Sequence, residues 1–232
     1  MTSTVVLLHA FPLDPRMWDD VAGALVADGI PVAAPRLGPE PSMEPWAARI
    51  LAETDGPLVP VGVSMGGYLA FELLRQGSDR VVGLGLVDTR PGADSPEGRA
   101  ARDDTIALLR AEGPAAVWER VGSKLLAGDA ADDVVARARA LALDQDAETL
   151  AAQVAAMRDR RDATPYLPEI QVPALVVHGE EDATIPISEA EAMAAALPNA
   201  RLVRLPGTGH LPPLERPAEL TGAIRDLLVE VG

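Results

Sequence analysis

Short apolar runs of strand length alternate with longer stretches whose apolar positions recur every three to four residues, through residues 1–88 and again after residue 168. That alternation predicts βαβ units around a mostly parallel sheet with helices on both faces. Strands are expected at 4–8, 32–34, 58–63, 81–87, 174–177 and 201–205, with helices at 14–27, 43–53, 65–76, 188–197 and 218–231. Gly29 precedes the second strand and Gly77 closes the third helix.

Between residues 89 and 168 the alternation stops. The segment is rich in Ala, Arg, Asp and Glu at helical spacing, is broken at Gly113-Pro114, Gly122, Gly128-Asp129 and Asp144, and reads as about four short helices without a strand. Its apolar positions, among them Ile106, Leu109, Val117, Trp118, Leu126 and Leu141, need a surface to cover. A separate helical domain is one reading. A cap inserted after the fourth strand and lying over the carboxyl ends of the sheet is the preferred one, because ligands bind at that edge. The expected organisation is therefore a core of 1–88 and 169–232 with a cap or lid of 89–168.

Composition narrows the chemistry. The chain has 232 residues, no cysteine, and 20 basic against 35 acidic residues for a formal charge of −15. Disulfides, thiolate metal sites and cysteine nucleophiles are excluded, and nucleic acid or an anionic membrane is a poor partner for so acidic a chain. No apolar run reaches the roughly 18 residues of a membrane helix, and the amino terminus lacks a signal-peptide pattern, so a cytoplasmic protein is expected. Lys124 is the only lysine, and His9, His178 and His210 are the only histidines. Any mechanism with an imidazole base must choose among those three.

The most informative stretch is Val59-Pro60-Val61-Gly62-Val63-Ser64-Met65-Gly66-Gly67-Tyr68, a G-x-S-x-G pattern with an apolar strand before it and a helix after it. A serine on a tight strand-to-helix turn has its Oγ pushed into the cleft, and the flanking glycines leave room for the turn. A serine hydroxyl needs a base. His210 lies in a Gly/Pro-rich loop after the last strand and is the candidate, whereas His178 reads as a half-buried structural residue and His9 as one that shapes its loop through backbone hydrogen bonds. The imidazole needs a carboxylate to fix its tautomer. Asp182, one βα unit before His210, is preferred over Asp88, which also closes a strand and could pair with Arg90. The oxyanion donors expected are the N–H groups of Met65 and of Phe11 in the loop after the first strand, where Pro12 brings no donor of its own. Phe11, Met65 and Trp118 are expected around the pocket, and Arg90 either binds a substrate carboxylate or pairs with Asp88 or a cap acid.

Together these residues resemble the α/β-hydrolase family, in particular its small capped esterase-like and enol-lactonase-like members. His9-Ala10-Phe11-Pro12 is similar to the family's H-G-F-P loop, Gly62 to Gly67 to its nucleophile elbow, Val177 to Asp182 to its acid loop, and Gly207 to Pro212 with Glu215-Arg216-Pro217 to its histidine loop. The resemblance implies the order Ser64, Asp182, His210 and a cofactor-free, metal-free enzyme acting on a small ester or lactone as a monomer or homodimer. Two departures stand out. Ala10 replaces a glycine, bringing a methyl group to the oxyanion loop, and the family's usual first two strands are missing, which leaves a short edge at 32–34 between Pro31 and Pro35. Serine at position 64 excludes the dehalogenase and epoxide-hydrolase branches, whose nucleophile is Asp. Perhydrolase-like, acyl-transfer and carbon–carbon hydrolase chemistries keep the same triad and remain alternatives, as does a binding protein on the same fold.

Overall fold

The structure, a computed structural model, describes residues 3–232. Six parallel strands form one sheet: β1 (Thr4–Leu8), β2 (Val32–Ala33), β3 (Leu58–Val63), β4 (Leu84–Val87), β5 (Ala174–Gly179) and β6 (Ala200–Leu205), in the order β2-β1-β3-β4-β5-β6. The order reverses direction between β1 and β3, which creates the crevice at the carboxyl ends where ligands of open α/β sheets bind. β1 is paired on both sides, Val5 with Val32 and Val59, and its Val5–Leu8 run is apolar and buried.

Side-chain alternation splits the core into two layers. Val6 and Leu8 of β1 face one layer, built with α2 (Met43–Glu53), α3 (Met65–Gln76) and α8 (Ile187–Ala196), through Trp46, Leu69 and Met193. Val5 and Leu7 face the other, built with α1 (Asp19–Ala27) and α10 (Pro217–Val231), through Val21, Leu25, Ile224 and Leu227. The period of two along a strand sends alternate side chains into each layer, and helices cover both faces. Ala10 is wholly buried in the second layer with Leu13, Met17 and Trp18, so its methyl group fills core and does not narrow an accessible pocket.

Between β4 and β5 the chain is helical: α4 (Pro96–Glu112), α5 (Pro114–Val121), α6 (Asp132–Leu143) and α7 (Ala147–Arg158), followed by a 3-10 turn over Thr164–Glu169. Ser95 and Asp146 cap α4 and α7, accepting from the N–H groups of Gly98 and Thr149. These helices tie to the loops after the strand ends. Gln145 donates to Asp14 at 2.8 Å after β1, Gln153 to the Leu37 carbonyl at 3.2 Å after β2, and the Lys124 carbonyl accepts from Thr184 at 3.1 Å after β5. Among the described residues no helix is long and apolar enough to cross a membrane.

Several element bounds depart from the sequence pattern. The helix expected from residue 14 begins as a 3-10 turn over Pro15–Trp18 because the Asp14 carboxylate accepts from the Arg16 N–H at 2.9 Å and winds the chain before α1. The strand expected from 81 begins at Leu84, with only a bridge between Leu58 and Val81 ahead of it. A short helix, α9 (Pro212–Glu215), had no separate signal.

Candidate active site

Ser64 sits between β3 and α3 with φ 52° and ψ −109°, a left-handed backbone that non-glycine residues avoid. Two contacts force this conformation. Cβ atoms added at Gly62 or Gly66 would lie 2.1 Å from the Gly66 carbonyl carbon or 2.2 Å from the Leu8 carbonyl oxygen, so only glycine lets the turn close. The Ser64 N–H donates to Val87 at 2.9 Å, and its carbonyl accepts from the Thr89 hydroxyl at 2.8 Å. The backbone is thereby pinned to the end of β4 while the side chain remains partly exposed.

The two flanking N–H groups are unspent. Among the described residues neither Met65 N–H, the first of α3, nor Phe11 N–H has an acceptor. The loop carrying Phe11 is closed by Leu13 N–H to the Ala10 carbonyl at 2.9 Å, and its Phe11–Pro12 peptide is cis. His9 is wholly buried behind it. Its Nδ1 donates to the Ala10 carbonyl at 3.1 Å while Nε2 accepts from the Leu37 N–H at 3.3 Å, and burial lowers its pKa to about 4, so it stays neutral and ties the β1 loop to the β2 loop.

In the loops after β5 and β6, Asp182 and His210 meet. Asp182 Oδ2 lies 2.7 Å from His210 Nδ1, with both side chains at 1 % exposure or less. Asp182 Oδ1 accepts from the N–H groups of Thr184 at 2.6 Å and Ile185 at 3.1 Å. Burial opposes the Asp182 charge, but the hydrogen bonds from His210 and these two amides outweigh it and hold its pKa below the ordinary value. A carboxylate at Nδ1 puts the proton there and leaves Nε2 as the basic nitrogen. Ser64 Oγ and His210 make no direct hydrogen bond among the described residues.

Glu215 holds the histidine loop; the sequence reading placed it in that motif without assigning it a bonding role. Its carboxylate accepts from the N–H groups of Ala127 at 2.8 Å, Gly209 at 3.0 Å and Leu211 at 3.1 Å, while His210 N–H donates to the Leu125 carbonyl at 3.1 Å. Helical and core segments are stitched together around the imidazole. The signal for it was the Glu215-Arg216-Pro217 that accompanies the histidine loop.

The remaining candidates find these places. Asp88 does not pair with Arg90. Its Oδ1 accepts from the Gly179 N–H at 2.9 Å, and Arg90 reaches Asp94, an acid of the 89–168 segment and so the other kind of partner expected for it, at 2.7 Å. Asp94 also binds Arg160 at 2.8 Å and Arg102 at 3.1 Å, and Arg160 lies over the Tyr68 ring at 4.1 Å. His178 is fully rather than half buried. Trp118, 7 % exposed, packs with Leu125, Leu126 and Leu141. The Met65 side chain is buried in the core, leaving only its N–H for the site. A cavity of about 990 Å³ lined by Met43, Tyr68, Phe71, Arg160 and Tyr166 includes none of Ser64, Asp182 or His210.

Residues 5–223 match the Alpha/beta hydrolase family. A pimeloyl-[acyl-carrier protein] methyl ester esterase of Aromatoleum aromaticum is 31% identical over 97% of both chains. Among solved structures, a thermophilic esterase from Thermogutta terrifontis superposes with a TM-score of 0.93 at 36% identity, covering 99% of this chain and 90% of that one. The enol-lactonase from Burkholderia xenovorans superposes at 0.83 with 25% identity, covering 99% and 92%.

Proposed function

The chain belongs to the alpha/beta hydrolase family, and from that premise we propose that it hydrolyses a small carboxylic ester or lactone through Ser64, His210 and Asp182. The observations that carry the reading are the left-handed Ser64 at the head of α3 and, in the loops after β5 and β6, an Asp182–His210 pair joined at 2.7 Å. In this reading Ser64 Oγ attacks the ester carbonyl carbon as His210 Nε2 takes its proton, and Asp182 stabilises the imidazolium. The N–H groups of Phe11 and Met65 receive the oxyanion. Collapse expels the alcohol, which leaves with the proton from His210. Water, deprotonated in turn by His210, then attacks the acyl-enzyme and releases the acid and free Ser64.

Residues 89–168 serve as the lid over this site. Their hydrogen bonds to Asp14, Leu37, Thr184, Glu215 and His210 all reach segments beyond strand carboxyl ends, which supports that reading. Trp118 and Arg90 are the lid and strand-end side chains to test for substrate contact. Methyl esters head the substrate panel, since the similar Aromatoleum aromaticum protein is named as a methyl ester esterase. The test is turnover of p-nitrophenyl acetate and of a methyl ester series by wild type and Ser64→Ala, together with fluorophosphonate labelling. Labelling at Ser64 and loss of turnover in the variant are expected. Labelling elsewhere, or turnover that survives Ser64→Ala, would sink the reading.

A further inference from the structure

Beneath the Asp182–His210 pair lies a second buried carboxyl group that the hydrolytic steps do not use. Asp88 is wholly buried at the end of β4, with the backbone at a left-handed φ of 42°. One oxygen, Oδ1, accepts from the Gly179 N–H, but Oδ2 is buried and receives no hydrogen bond. The titratable groups around it from neighbouring elements are Asp182 after β5, His178 on β5 and Glu215 on α9. The nearest cation on its own loop, Arg90, is turned to Asp94. His178 Nδ1 lies 3.3 Å from Asp88 Oδ1 without making a hydrogen bond, and burial holds its imidazole neutral.

An ionised Asp88 would thus be a buried charge with no cation and another carboxylate beside it. A neutral acid removes that conflict, because a protonated Oδ2 becomes a donor. Asp182 has room for it: a carboxylate offers about four acceptor positions, and His210, Thr184 and Ile185 occupy three of them. Reactive atoms of Asp88, His178 and Asp182 all lie within 4.8 Å of one another. Burial and the Asp182 charge push the Asp88 pKa in the same direction, well above the ordinary value.

We propose that Asp88 is a positioning residue for the Asp182–His210 pair, holding a proton on Oδ2 and donating it to the Asp182 carboxylate so that Asp182 stays aimed at His210 Nδ1. The proposal rests on reading Asp182 and His210 as acid partner and base. Its consequence is an alkaline limit: when Asp88 loses its proton, Asp182 loses a donor and gains a like charge.

The experiment compares pH profiles of p-nitrophenyl acetate hydrolysis for wild type, Asp88→Asn and Asp88→Ala, with circular dichroism as the fold check. Asp88→Ala should lower kcat roughly ten- to hundredfold with KM unchanged, the weight of one hydrogen bond to a charged group. Asp88→Asn, whose amide both donates to Asp182 and accepts from Gly179, should restore most of that loss and abolish the alkaline fall seen in wild type. A folded Asp88→Asn as impaired as Asp88→Ala, an alkaline limb that survives in Asp88→Asn, or an unimpaired Asp88→Ala would each overturn the proposal. If Asp88→Ala does not fold, the wild-type and Asp88→Asn profiles still decide. The His210 Nδ1–H proton resonance supplies a readout independent of turnover. It should change with alkaline titration in wild type but not in Asp88→Asn, and identical behaviour in the two overturns the proposal even if no ester is cleaved. A melting temperature raised by Zn²⁺ in wild type but not in Asp88→Asn would also overturn it, in favour of a cation held by Asp88, His178 and Asp182.

Discussion

Two neighbouring strands, β4 and β5, each deliver an aspartate to the same buried edge of the sheet, yet the surroundings treat the two carboxyl groups in opposite ways. Both side chains have no exposed surface. Asp182 receives two backbone N–H groups and an imidazole, and its pKa is lowered. Asp88 receives one N–H, and its pKa is raised by burial and by the Asp182 charge. Donors, not depth, decide which carboxyl is charged. The tight turn after Asp182 provides them, since Thr184 and Ile185 expose free N–H groups to the side chain at its start, whereas the Asp88 backbone turns into Thr89 with its N–H already given to Val177.

The comparison breaks most decisively in activity. Ser64→Ala should remove ester turnover to the level set by binding and the oxyanion donors alone. Asp182→Asn should keep the fold but lower kcat by about four orders of magnitude, because the amide can present an N–H to Nδ1 and favour the wrong tautomer. Substituting the same amide at Asp88 should leave most of the activity. Steady-state kinetics on the three purified variants checks this, and equal losses at the two aspartates would erase the distinction between them.

Stability against pH sharpens it next, because the two shifts have opposite signs. A raised carboxyl pKa means the folded chain holds a proton the unfolded chain has released, so the Asp88 contribution is complete below the ordinary carboxylate value of about 3.9 and declines as pH rises toward the folded value. Asp88→Asn should therefore melt above wild type at neutral pH, with a gap that widens as pH rises above about 3.9 toward the raised folded value. The lowered pKa of Asp182 works in reverse: its contribution is present above about 3.9 and is lost as pH falls through the folded value. Asp182→Asn should melt below wild type at neutral pH and converge with it in acid. Thermal melts across pH test both, and parallel curves for the two variants would contradict the assignment.

How much of this arrangement was legible in the sequence follows the same division. The β3–α3 elbow and α2 read to their observed bounds because their signals are local: a buried run of Leu58 to Val63, a glycine on either side of Ser64, and an amphipathic stretch closed before Gly56. The Asp182–His210 pairing was readable from loop positions and motif order. Asp88 was read as the rival acid that could instead pair with Arg90, whereas Arg90 finds Asp94 four residues on, where Arg102 and Arg160 gather around the same carboxylate. The role of Glu215 was invisible because its donors, Ala127 from a distant segment and Gly209 and Leu211 from its own loop, are backbone groups that carry no sequence signature. Side-chain chemistry is written in the sequence, whereas its backbone partners depend on the fold.

Glu215 extends the comparison to a third carboxylate, one supplied with donors on both oxygens. Glu215→Gln keeps the shape but replaces one acceptor oxygen by an amide that cannot accept from those N–H groups, leaving at least one half-buried donor unmet. The expected cost is about 1–3 kcal/mol of stability, read in chemical denaturation. A drop in kcat should accompany it, since the loop that carries His210 loses its tie to the helical segment.

The fourth carboxylate, Glu148 on α7, has a partner but no burial. Arg110 lies 3.3 Å away across the α4–α7 contact, with both side chains more than half exposed. Water solvates each ion nearly as well alone as paired, and salt screens what attraction remains, so an exposed pair contributes little whatever its geometry. Glu148→Gln should shift the melting temperature by about 2 °C or less and leave kcat and KM unchanged. Its effect should shrink further in high salt, whereas that of Glu215→Gln should persist, because the N–H groups left unmet there are held away from water. Equal salt sensitivity in the two variants would mean that exposure does not separate them, and donor count alone would then have to account for the order of all four carboxylates.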